Sequence, residues 1–370
     1  MNLMPFFKEY MKNYEGLDDY LVEIDGQSMY EWNYEDGCLF VGASRLYELT
    51  GDREYLDFIV KMVSPYIEED GTIKSYHREE YNLDFINAGK IFYFLYDETG
   101  EERYRKACDT LMTQLIYQPR LTTGNFWHKK IYPHQIWLDG LYMAQPFYMQ
   151  YEAEYNGCKN CEDSYQQFLQ VYGRMRDPLN GLYYHAYDDS RQMFWCDKVT
   201  GLSENFWLRA MGWYAMALID TMEVMPDFMK EEKKRMNSIY RELIDAMLPY
   251  QDQATGMWYQ VVNRGGIAPN YLEESGSAIF AYAIMKSVRL HYLPEEYFKY
   301  GQKAFDGICS TYLSEKDGSL QLGGICLVAG LGNTDMREGT FEYYMREPVV
   351  ENEAKGIAPL ILAYIETMFR

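Results

Sequence analysis

Two aspartates occupy matching places in this chain, and their surroundings suit them to acid-base chemistry. Asp84 stands in NLDFINAGK and Asp139 in IWLDGLYM, each shortly before a glycine and a long apolar run. Burying an unpaired carboxylate costs several kcal/mol, so an aspartate at the mouth of an apolar helix needs either a partner or a use. Taken singly, each is an ordinary first-turn residue favoured by the helix dipole. Taken together, two carboxylates can divide the work of giving and taking a proton. Trp137, Leu138 and Tyr142 would desolvate Asp139 and Asp84 would repel it, so its pKa is expected to lie above the ordinary carboxylate value.

Other chemically able residues fall in comparable positions. Arg209 lies in FWLRAMGW, with Trp213 one helical turn beyond it on the same face. Glu273 and Glu274 open LEESG, and Glu351 and Glu353 precede the last such glycine. His128, Lys129 and Lys130 in FWHKK, with His185 in GLYYHAYDD and Arg209, would give an acidic protein a local positive pocket suited to a ligand carboxylate. Trp127, Trp137, Trp207 and Trp213 flank these residues as flat faces on which a sugar ring could stack. A lone histidine in a tyrosine-rich segment, His134 included, is more often structural than functional. No HExxH or paired histidine spacing points to zinc, and no GxGxxG, Walker A or GxSxG motif points to a nucleotide or a serine nucleophile. Neither a metal nor a cofactor is expected.

Something must bring these scattered residues together, and the chain repeats a pattern able to do so. Six nearly all-round apolar stretches start at Trp32, Leu83, Ile136, Phe206, Leu272 and Val350, with glycines at 37, 89, 140, 212, 276 and 356. Each reads as a helix buried on every side. Between them lie six segments with apolar residues every three or four positions, around 6–14, 54–67, 102–116, 163–175, 231–248 and 294–312. TGDREY and TGEERY supply a glycine to end one helix and an acidic residue to begin the next. Short strand-like runs in EEDGTIKSYH, TTGNFWHKKIY, DPLNGLYYHAY, DQATGMWYQVV and EKDGSLQLGGI read as small hairpins on one rim. Alternating buried and amphipathic helices predict an all-α (α/α)6 barrel, a single domain over 1–370 with β-hairpins on its active-site rim. In such a ring all inner helices start at one face, which gathers the polar openings at a common mouth. A linear solenoid of helix pairs is the competing arrangement, and glycine spacings of 52, 51, 72, 64 and 80 residues fit rim loops that differ around a closed ring better than a regular array.

Composition narrows the partners. A net charge of -21 repels nucleic acid and anionic membranes, and no apolar run approaches a membrane span. Seven scattered cysteines fit reduced thiols, and with no export signal in view a cytoplasmic location is expected. Cys158 and Cys161 form a lone CxxC without the second pair a metal site would need.

The segments HKKIYPHQIWLDGLYMAQPFY, LDFINAGK, GLYYHAYDD, FWLRAMGWYAMAL and FEYYMREPVVENEAKGIAPLILAY resemble the unsaturated rhamnogalacturonyl hydrolases of glycoside hydrolase family 105. These are relatives of the family 88 unsaturated glucuronyl hydrolases. The likeness spans nearly the whole chain, and WLDGLYM is its most specific part. It implies an (α/α)6 barrel and an enzyme that removes a 4,5-unsaturated uronic acid from the non-reducing end of small lyase-generated oligosaccharides by hydrating the C4=C5 vinyl ether. By this resemblance Asp139 is the general acid and base and Asp84 the second carboxylate. His185, Arg209 and Trp213 line the uronate subsite, with His128, Lys129 and Trp207 close by and Tyr34 contributed by WNYEDG. Unsaturated galacturonate linked to rhamnose is the expected substrate. Alternatives are a glucuronyl substrate from another polysaccharide, a different (α/α)6 sugar enzyme such as an epimerase or ordinary glycosidase, and a non-catalytic sugar-binding protein, which would not need the aspartate pair.

Overall fold

The computed structural model describes residues 1–16, 21–24 and 27–369. The amphipathic segments form α1 (Met4–Asn13), α3 (Arg53–Val63), α6 (Glu102–Tyr117), α8 (Cys161–Met175), α10 (Lys230–Met247) and α12 (Phe298–Tyr312). The apolar segments form α2 (Tyr34–Thr50), α4 (Asp84–Ala88) running on as α5 (Ile91–Thr99), α7 (Leu138–Tyr155), α9 (Leu208–Val224), α11 (Glu274–Arg289) and α14 (Ala354–Thr367). A short α13 (Phe341–Arg346) lies outside the pattern.

Burial follows the two kinds of sequence. In α3 the buried residues are Tyr55, Leu56, Phe58, Ile59 and Val63, one stripe of an amphipathic helix. In α9 every residue from Leu208 to Ile219 is buried. The apolar helices contact one another in the cyclic order α2, α4, α7, α9, α11, α14 and back to α2. Ring closure makes this an (α/α)6 barrel and excludes a linear solenoid. Helix ends are set as the TG-acid loops predict: Gly51 and Gly100 adopt φ of +69° and return their N–H groups to Tyr47 and Tyr96, while the Asp52 side chain caps α3.

The rim departs from expectation. Among the segments read as hairpins, only EKDGSLQL pairs with itself, as β5 (Leu313–Lys316) and β6 (Ser319–Leu322). Three others close as turns held by single bridges, Ile67 to Ile73, Arg120 to Phe126 and Arg176 to Tyr183, whereas DQATGMWYQVV bridges neighbouring segments, Tyr259 to Leu272 and Val261 to Trp207. Strand pairing elsewhere includes β1 (Leu21–Ile24) with β2 (Gln27–Tyr30), β3 (Gln135–Trp137) with β4 (Ala186–Asp188), and β7 (Ile325–Cys326) with β8 (Val349–Val350). The last two pairings join segments about fifty and about twenty-five residues apart, because closing the ring sets adjacent rim loops edge to edge. A separate apolar cluster of Tyr132, Trp137, Ala186, Trp195, Cys196 and Leu331 packs under these loops.

Cys158 and Cys161 are joined as a disulfide, correcting the expectation that every thiol is reduced. The left-handed turn at Gly157 and Cys158 brings their Cα atoms to 5.0 Å, within the range a disulfide spans. The thiol count therefore does not mark a reducing compartment. No helix among the described residues is long and apolar enough to cross a membrane.

Candidate active site

The inner helices open into a cavity of about 610 Å³, within the ~300–1,000 Å³ usual for small-ligand sites. Tyr34, Asp84, His128, Lys129, Asp139, Trp207, Arg209 and Trp213 all line it. His185 is fully buried behind Asp139.

Asp139 stands in the first turn of α7, just after β3. The register that sets Trp137 opposite Ala186 also gives Leu138 N–H the His185 carbonyl, at 3.1 Å. Strand pairing thus fixes His185 beside Asp139, with Nε2 3.4 Å from Oδ2. Neither atom has another hydrogen-bond partner among the described residues. That separation exceeds a well-formed hydrogen bond. On the other side of the ring, His185 Nδ1 lies 2.8 Å from the Tyr344 hydroxyl. When that hydroxyl donates to Nδ1, Nε2 carries the proton and presents it to Asp139.

Asp84 begins α4 and is neutralised locally. Lys129 Nζ lies 2.6 Å from its Oδ2, and His128 Nε2 lies 3.7 Å from its Oδ1. Burial lowers the Lys129 pKa, but the charge and hydrogen bond of Asp84 outweigh that and raise it, so the ammonium stays protonated beside Asp84. Burial lowers the His128 pKa to about 4 in spite of Asp84, leaving the ring neutral near pH 7. His128 lies flat on Trp137, ring centroids 4.8 Å apart, and Trp137 stacks in turn on Tyr132 at 4.7 Å.

The expected upward shift of Asp139 is reversed. Burial pushes its carboxyl up, but the hydrogen bond from His185 and the electrostatic pull of that ring outweigh burial and hold the pKa below the ordinary value. Lys129 cancels most of the repulsion Asp84 was expected to add.

Arg209 is 1% exposed, and its guanidinium is partly committed. Nη1 donates to the Ser275 hydroxyl at 3.1 Å and to the Cys326 carbonyl, and Nη2 donates to the Leu327 carbonyl at 3.3 Å. Of the three hydrogens so committed, two hold the loop that forms one cavity wall and one holds the first turn of α11. Among the described residues the hydrogen on Nε and one on Nη2 have no acceptor, a pair that matches a carboxylate. Trp207 lies tilted against His185 and stacks on Tyr344, and Trp213 stacks on Tyr142 at 5.0 Å, so both indoles are fixed.

Other candidates lie elsewhere. Glu273 caps α11 and accepts from Cys326 N–H, Glu274 is wholly buried, and neither lines the cavity. Lys130 donates to the Glu79 carbonyl outside it. Trp127 packs on His134, also outside it. With His128 neutral and Lys129 paired, the expected positive pocket shrinks. The lining also includes Tyr132, Met143, Arg337, and Lys355 ion-paired with Glu35 and Glu353, none of which was singled out from sequence except Glu353. The quoted run FEYYMREP held Tyr344, but nothing in its local pattern signals a hydrogen bond 159 residues away. Among the described residues no group of three or more His, Cys, Asp or Glu side chains is placed to hold a metal ion.

Residues 8–370 match the model for Glycosyl Hydrolase Family 88. A solved glycoside hydrolase from family 105 of C. acetobutylicum ATCC 824 is 44% identical, covering 99% of this chain and 100% of that one, with a TM-score of 0.90. Protein Atu3128 of Agrobacterium fabrum is 39% identical over 233 residues, 61% of this chain and 98% of its own length. The unsaturated rhamnogalacturonyl hydrolase YesR of Bacillus subtilis is 27% identical over 310 residues, 81% of each chain.

Proposed function

This chain belongs to glycosyl hydrolase family 88, and we propose that it removes a 4,5-unsaturated uronic acid from the non-reducing end of small oligosaccharides by hydrating the C4=C5 bond. The observation that carries this reading is the arrangement of two carboxylates on one cavity, Asp139 against a histidine and Asp84 against a lysine. Their environments differ enough to give them different roles. Likeness to YesR favours unsaturated galacturonate joined to rhamnose as the substrate.

Asp139 delivers a proton to C4 of the vinyl ether, and positive charge develops at C5, shared with the ring oxygen. As a carboxylate, Asp139 then takes a proton from the water that adds its oxygen to C5. The hemiketal opens to a C5 ketone, and the hemiacetal left at C1 expels the aglycone as an alcohol and becomes an aldehyde. One water is consumed in all. His185 steadies the ionised form of Asp139 between the two proton transfers. Asp84, paired with Lys129, helps position the water or hold the sugar. Arg209 offers its two remaining hydrogens to the uronate carboxylate, and Trp207, Trp213 and Tyr34 border the same subsite.

Asp139→Asn tests the assignment, since it keeps the shape and removes the proton. On an unsaturated disaccharide kcat should fall at least ~100-fold, the lower range for losing general acid-base catalysis, with thermal unfolding unchanged. Turnover close to wild type would refute the role of Asp139.

A further inference from the structure

We infer that Arg337 is a specificity-determining residue that reads a second carboxylate, carried by the leaving side of the substrate; this rests on the function proposed above. Four lysine and arginine side chains line the cavity: Lys129, Arg209, Arg337 and Lys355. Lys129 is spent on Asp84, and Lys355 on Glu35 and Glu353. The two hydrogens left on Arg209 serve one carboxylate. Arg337 donates Nε to Asp335 at 2.6 Å, and neither of its terminal amino groups donates to an acceptor among the described residues. The cavity therefore offers cationic donors for two anionic groups, and an unsaturated uronate with a neutral partner supplies one.

Arg337 reaches the cavity across Gly330. A Cβ on that glycine would lie 2.8 Å from Arg337 Nη1 and 3.5 Å from the edge of the Trp137 ring. The guanidinium and Trp137 thus flank one backbone position, and Trp137 is two residues from Asp139. The supporting loop is fixed. Gly332 and Arg337 exchange both backbone hydrogen bonds at 2.9 Å, Leu331 is buried in the cluster with Trp137 and Trp195, and Tyr343 donates to the Gly330 carbonyl at 2.8 Å. A cation on a preorganised loop loses little freedom on binding. Its side chain is 24% exposed, so a carboxylate meeting its free fork would be partly shielded from water. In a protein of net charge -21, such a cation selects ligands more sharply than it would on a basic surface. The substrate class that fits is an unsaturated uronate joined, directly or through one further sugar, to a second uronate. A sulfate presents a related anion, and the experiment separates the two.

The test is steady-state kinetics of wild type, Arg337→Gln, Arg337→Lys and Gly330→Ala on three lyase products, with a neutral, a carboxylate-bearing or a sulfated leaving side. For Arg337→Gln the ratio of kcat/KM on the carboxylate-bearing substrate to that on the neutral one should fall about 10- to 100-fold, through KM, as expected for one lost charge-assisted pair. Arg337→Lys should recover part of the ratio. Gly330→Ala, by displacing the guanidinium, should repeat the loss. An unchanged ratio overturns the inference while leaving the function standing. A larger loss on the sulfated substrate overturns the carboxylate assignment. Failure of wild type to hydrate any of the three refutes the proposed function and this inference with it.

Discussion

Under the proposed reading Asp139 must give a proton to carbon, yet His185 holds it as a carboxylate in the free protein. The proton is then acquired with the substrate, when a bound sugar displaces water and brings its own negative charge. Because kcat/KM reports the free enzyme, it should rise steadily from neutral towards weakly acid pH. Replacing His185 by Gln removes the main influence that lowers the Asp139 pKa. The pH at which activity declines on the alkaline side should therefore move up, even if the rate falls. A pH-rate profile with that limb unmoved would show that His185 does not set the proton affinity of Asp139. The position of Asp139 is legible in WLDG, because an acidic residue ahead of a glycine and an apolar run marks a helix opening. Its proton affinity is not, because His185 arrives from a loop 46 residues later and turns the balance of burial against charge.

At the scale of elements, the site depends on how closely α7 meets the loop carrying His128. A Cβ on Gly140 would come within 2.9 Å of His128 Nδ1 and 3.2 Å of Leu83. Gly140→Ala should push His128 off Trp137 and disturb Asp84 beside it. We expect kcat/KM to drop roughly tenfold or more, with stability changing by the ~1–3 kcal/mol typical of overpacking. Kinetics and urea unfolding of the same variant check this, and unaltered kinetics would mean the loop yields without consequence. The inner and outer helices could be read from apolar periodicity because each is a local pattern. Strands β3 and β4 could not, since Gln135–Trp137 finds its partner only after the ring has closed.

For the whole molecule, closure joins α14 to α2 and α11, and it leaves Glu274 enclosed with no hydrogen-bond partner among the described residues for either carboxylate oxygen. Burial and the adjacent Glu273 raise its pKa well above 4.5, against a smaller pull from Arg209. The folded chain thus keeps a proton that the unfolded chain releases. Stability should fall as pH rises above the unfolded value, by at most about 1.4 kcal/mol per unit until the folded pKa is passed. Glu274→Gln should flatten that decline when unfolding is measured across the range, and an unchanged slope would contradict it. The sequence placed Glu274 at the shared mouth with the other acids. Its exclusion follows from the orientation of α11, which turns Glu273 towards its own cap and Glu274 into the packing.

The central claim is that the double bond is the reacting group, and a matched pair of disaccharides tests it most directly. One carries the 4,5-unsaturated uronate, and the other is its saturated counterpart with the same linkage and aglycone. Release of aglycone by the wild-type protein should occur only from the unsaturated compound, together with loss of its alkene signal. Comparable cleavage of the saturated compound would place the chemistry at the anomeric carbon and contradict hydration.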